Sequence, residues 1–88
     1  MKSTLEKFKK IYTGWEIRFK VELTDKEFEK CNMEPVEGVG DYSIELQGKN
    51  IIFECIFDKG ELKKDETIEE RLTLIKKDIE NLAQSCLN

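Results

Sequence analysis

The chain has 88 residues, a formal net charge of −4, no histidine and three cysteines, and 39% of its residues are charged. A chain of this length makes one domain with a small core, burying a little over ~60% of the surface it exposes unfolded. Its acidic balance argues against generic binding to nucleic acid or anionic membrane, since both require cationic neutralisation of phosphate.

Three hydroxyl-to-carboxylate spacings, Ser3-x-x-Glu6, Thr24-x-x-Glu27 and Thr67-x-x-Glu70, read as capping boxes and mark three helix starts. The first predicts a helix from about Thr4 to Tyr12, with Leu5, Phe8, Ile11 and Tyr12 on one face and Gly14 as its left-handed cap. In WEIRFKVEL, Trp15, Ile17, Phe19, Val21 and Leu23 alternate with charged residues, the period of a half-buried strand. A short helix over about Asp25–Cys31 follows, then the loop NMEPVEGVGD. YSIELQ alternates again, and Gly48-Lys49-Asn50 turns it into IIFECIFD as a hairpin. That last strand is apolar on both faces, with Ile52 and Ile56 flanking Glu54, so it is expected to be covered on both sides. The first helix, through Leu5, Phe8 and Ile11, or a second molecule would supply the outer cover. Ile68, Leu72, Ile75, Ile79, Leu82 and Cys86 then form an unbroken helical stripe, widened by Ala83. The predicted fold is one α+β domain over residues 1–88. A three-stranded antiparallel sheet packs on a long C-terminal helix, with an N-terminal helix and a short helix between strands 1 and 2.

The residues argue against catalysis. Without histidine the chain lacks the commonest general base, the usual partner of Ser and Cys nucleophiles, and the commonest metal ligand. Ser3, Ser43 and Ser85 have structural readings as a cap, a strand residue and a last-turn residue. Gly38-x-Gly40 follows a loop and opens no helix, so the dinucleotide fingerprint fails. Glu34, Glu37 and Asp41 lack the ligand register of a calcium loop. No cofactor and no metal are expected. The cysteines are odd in number and far apart, with no metal-ligand spacing. Cys55 and Cys86 read as small core residues, and Cys31 as an exposed thiol with no resolving partner nearby. MKSTLEKFKK has no apolar signal-peptide core, and no apolar run approaches the ~20 residues of a membrane span. The expectation is a reduced, soluble, cytoplasmic protein with no membrane association.

Charge is the remaining signal. Residues 1–20 carry six basic side chains against Glu6 and Glu16, whereas residues 22–45 carry eight acidic side chains against Lys26 and Lys30. An acidic surface on a small scaffold steers a protein toward a basic partner. The sequence therefore predicts a non-enzymatic protein-binding module that presents Asp25, Glu27, Glu29, Glu34, Glu37, Asp41 and Glu45. Size and charge make its most concrete form a phage or mobile-element inhibitor, of the anti-CRISPR kind, on a basic surface of a host nucleic-acid-acting or defence complex. One alternative is a small-ligand or nucleotide binder using Lys9, Lys10, Tyr12, Arg18 and Lys20. Another is a homodimeric accessory subunit. No direct nucleic-acid contact is expected, and the chain is expected to be a monomer or a homodimer.

Overall fold

A computed structural model describes residues 1–36 and 40–87. Strand β1 (Lys2–Lys10) turns into β2 (Gly14–Glu22), and α1 (Asp25–Lys30) with a loop leads to β3 (Ser43–Gln47). β4 (Asn50–Asp58), a 3₁₀ turn (Lys59–Glu61) and α2 (Ile68–Ser85) complete the order. The strands form one antiparallel sheet ordered β1-β2-β4-β3. The α+β class and the C-terminal helix are as expected. Among the described residues the sheet has four strands instead of three, and there are two α-helices instead of three.

Register follows from the alternation in β2 and β4. Trp15, Ile17, Phe19 and Val21 sit opposite Phe57, Cys55, Phe53 and Ile51, so both rows share one face. β3 adds Ile44 opposite Phe53 and Leu46 opposite Ile51 on that face. α2 covers it with the stripe read from its spacing: Ile75, Ile79, Ala83 and Cys86 join the sheet residues in one buried cluster, with Ile68, Leu72 and Leu82 packed around it. Trp15 stacks on Phe57 with centroids 6.4 Å apart, and Tyr42 meets Phe53 edge-on at 6.2 Å. At the start of α2, the Glu70 N–H donates to Thr67 Oγ1 at 3.2 Å, so the third cap forms.

The N-terminal segment corrects the sequence reading. It is an edge strand, not a helix, and a bulge between Leu5 and Lys7 explains why it looked helical. Leu5 pairs with Phe19 and Phe8 with Ile17, so the bulge brings two residues three apart onto one strand face. Ser3 caps nothing; its hydroxyl donates to Glu80 on α2 at 2.6 Å. Glu6 reaches across the outer face to Arg18 and Lys20, each at 3.5 Å. Because Leu5 and Phe8 lie on the α2 side of the sheet, they do not cover Ile52 and Ile56, which project from the other side. Ile52 is nevertheless buried, whereas Ile56 is 67% exposed. Gly14 is a second correction. It has no left-handed backbone, and it is required where β2 passes close to the end of β4, because a Cβ there would meet the Phe57 carbonyl oxygen at 2.0 Å. Among the described glycines the left-handed one is Gly48, at φ 61°, in the two-residue turn from β3 to β4.

α1 begins with the expected capping box. The Thr24 N–H donates to Glu27 Oε1 at 2.9 Å, and the Glu27 N–H to Thr24 Oγ1 at 3.2 Å. The N-terminal ammonium adds an ion pair with Glu27 at 2.9 Å. The Thr24 N–H, followed by that ammonium, holds the Glu27 carboxyl below its ordinary range. A depressed carboxyl contributes stability above its unfolded pKa, and that contribution is lost as pH falls through the folded value. Thermal melts should therefore be level at neutral pH and fall below about pH 4.3. Glu27→Gln should start from a lower melting temperature and lose less on acidification. A Glu27→Gln acid profile parallel to that of the wild type would refute this coupling.

Candidate partner-binding surface

The acidic segment does not fold into one patch. Leu23 and Asp25 join Lys49 through a backbone hydrogen bond and an ion pair, which fixes α1 at the end of the sheet where Glu22 faces Asn50. Asp41 precedes Ser43, which pairs with Glu54 at the far end of β3, roughly 13 Å away along the strand. Glu45 lies between them, exposed on the outer face with its carboxylate accepting from Gln47. Asp25 and Glu27 are already engaged, with Lys49 and with the N-terminus. Glu29 and Glu34 are exposed. Glu37 lies outside the described residues, as does Gly38 of the Gly-x-Gly loop.

Asp41 instead joins carboxylates from other elements. β3 is shorter than β4 and stops pairing at Glu54, so Cys55–Asp58 extend beyond it. Two open hollows of about 480 and 550 Å³ flank this extension and share Gly40, Asp41, Tyr42, Cys55 and Ile56. Glu61 and Asp78 line the first, and Glu16 and Glu54 the second. The Tyr42 hydroxyl donates to Asp78 Oδ2 at 2.7 Å. Burial, then this bond to a carboxylate, pushes the phenol well above its usual range. Burial, reinforced by Asp41 and Glu61, pushes the Cys55 thiol up to about 11, so it stays protonated at neutral pH and is a poor nucleophile.

The two cations that line the hollows, Arg71 and Lys7, are occupied, and Arg18 stands opposite Glu54 in the β2–β4 register. Arg71 holds Glu66 Oε1 through Nη2 at 2.7 Å and Nε at 3.1 Å, with its guanidinium 5.3 Å from the Phe57 ring centroid. Lys7 pairs with Glu16 at 2.8 Å. Among the described residues, Asp41, Glu54, Glu61 and Asp78 make no ion pair. No group of three or more ligating side chains there could hold a metal ion. The result is a carboxylate-lined end of the sheet with the exposed Ile56 side chain beside it. Composition alone pointed to Asp41. Glu61 and Asp78 arrive from the 3₁₀ turn and α2, and the one local signal for this site was Glu54 between two outward isoleucines.

The basic alternative is spread over three places. Lys9 pairs with Glu16 on the outer face, Lys10 with Trp15 on the α2 face, and Tyr12 is fully exposed in the β1–β2 turn. Arg18 and Lys20 share Glu6, and Lys20 also lies 3.4 Å from Glu22. None of these five residues lines either hollow. No described helix is long and apolar enough to cross a membrane. Comparison of the chain with protein-family models, with curated proteins and with solved structures finds no match.

Proposed function

We propose that the chain is a non-enzymatic protein-binding module whose carboxylate-lined sheet end engages a basic surface of a partner protein. The observation that carries this reading is the gathering of Asp41, Glu54, Glu61 and Asp78, unpaired with cations among the described residues, beside the 67% exposed Ile56. An exposed apolar side chain beside an excess of one sign of charge combines area to desolvate with long-range attraction. Asp25, Glu27, Glu29, Glu34 and Glu45 extend the negative field along the same sheet without being the contact itself. In its most specific form the proposal is a phage or mobile-element inhibitor that occupies a basic nucleic-acid-handling surface of a host complex. Small size and net charge support that form.

Affinity capture from a bacterial lysate tests the proposal, with Asp41→Lys/Glu61→Lys protein as the comparison bait. The expected result is a basic protein or complex retained by the wild type, released by salt and not held by the variant. Retention indifferent to both the variant and salt would contradict the proposal. So would a nucleotide copurifying with the chain, seen as excess absorbance near 260 nm.

A further inference from the structure

Cys31 and Cys86 lie 55 positions apart in sequence, yet their sulfurs are 3.2 Å apart. The reading of Cys31 as a thiol with no partner nearby is therefore overturned: the ends of α1 and α2 meet, which spacing along the chain does not reveal. The approach is fixed by the backbone around both residues. The Cys31 N–H closes α1 on the Phe28 carbonyl at 3.1 Å, and the Cys86 N–H closes α2 on Ala83 at 3.2 Å. The next residue, Asn32, donates its N–H to the Cys86 carbonyl at 2.7 Å, which ties the two helix ends together directly. Cys31 is half-buried and reachable from solvent, Cys86 is fully buried, and Cys55 belongs to the hollow beside β4.

We propose that Cys31 and Cys86 are a dithiol that an oxidant of the peroxide class closes into an intramolecular disulfide, stapling α1 to the end of α2. Cys31, the accessible member, acts first. Its thiolate attacks a peroxide oxygen, the O–O bond breaks, and Cys31 becomes a sulfenic acid as water leaves. The Cys86 sulfur then attacks the Cys31 sulfur, loses its proton and expels the sulfenic oxygen as a second water. Two thiols are oxidised and one peroxide is reduced to two waters. Burial, followed by the adjacent Cys31 thiol, pushes the Cys86 thiol up to about 12, which keeps it protonated and unreactive until Cys31 has been activated. The disulfide needs the sulfurs only ~1 Å closer than they stand. It closes a long loop, so it removes much of the unfolded chain's freedom. It also anchors the residues through which α1, with Glu27 and Glu29, leads into the acidic segment.

The test treats the full chain with hydrogen peroxide and reads intact mass, a non-reducing peptide map and the melting temperature. Wild type and Cys55→Ser should each lose two hydrogens per chain and give a Cys31–Cys86 linked peptide. Their melting temperature should rise by more than about 10 °C, and dithiothreitol should reverse the rise. Cys31→Ser, a near-isosteric replacement at a half-buried position on the margin of the core, should show none of these changes. Oxidation that yields only sulfinic acids, links between chains or a bridge to Cys55 would overturn the proposal. A Cys31–Cys86 bridge without a rise in melting temperature would overturn the stapling.

Discussion

Phe19→Ala should cost about 3–5 kcal/mol and leave the chain barely folded at room temperature. Phe19 is 2% exposed, sits opposite Phe53 on β4 and Leu5 on β1, and lies in the buried cluster that α2 closes. Removing the ring leaves a cavity bounded by two strands and a helix, and strand pairing prevents the sheet from collapsing into it. A domain of this size holds roughly 5–13 kcal/mol in total, so the loss is a large part of its stability. Ile75→Ala, across the same core on α2, should cost about 2–4 kcal/mol. Urea unfolding monitored by Trp15 fluorescence measures both. A midpoint for Phe19→Ala within experimental scatter of the wild type would mean that the inward face of β2 is wrongly assigned.

Gly14→Ala should destabilise by about 2–4 kcal/mol, more than any exposed glycine replacement, because the obstacle is backbone. The added methyl would meet the Phe57 carbonyl oxygen at 2.0 Å, the Lys59 nitrogen at 2.9 Å and the Asp58 Cα at 3.0 Å. Relief requires β2 and β4 to part at this end. That movement would break the 2.8 Å hydrogen bond from the Lys59 N–H to the Thr13 carbonyl and loosen the Trp15–Phe57 stack. Gly48→Ala provides the contrast. Nothing lies within 4 Å of a Cβ there, so its cost is only the left-handed backbone, about 1 kcal/mol. Equal melting temperatures for the two variants would refute the close approach at Gly14.

The contrast between β1 and β2 shows what local pattern conveys. β2 alternates without interruption, and both its span and its inward face are legible in the residues themselves. β1 is built from Lys, Glu and Leu, good helix formers, and its bulge moves Phe8 to a helical spacing from Leu5. What decides its state is pairing with the open edge of β2, the next strand along the chain, and the Ser3–Glu80 contact, whose partners lie 77 positions apart. The candidate surface divides in the same way. The excess of acid before β3 is visible in composition, but its division between the two ends of the sheet is set by strand register. Glu61 and Asp78 join Asp41 only because the 3₁₀ turn and α2 return to the end of β4 that β3 leaves uncovered. The Cys31–Cys86 approach is equally non-local, made where two helices end together.

A contact surface at one end of the sheet requires negative charge to matter there more than elsewhere on the chain. Asp41→Lys/Glu54→Lys and Glu29→Lys/Glu34→Lys change net charge equally, all at exposed positions, but the first pair lies where β3 stops pairing with β4 and the second on α1 and the loop after it. The direct measurement is the association rate of each double variant with the captured partner across a salt series. The expected result is a fall of about tenfold or more for the Asp41/Glu54 pair at low salt, shrinking as the screening length drops toward ~8 Å at physiological ionic strength. The fall for the Glu29/Glu34 pair should be much smaller. Equal rates for the two variants, whether both slowed or both unchanged, would contradict the proposed surface, because the charge would then act only through its total or only as a means of staying in solution.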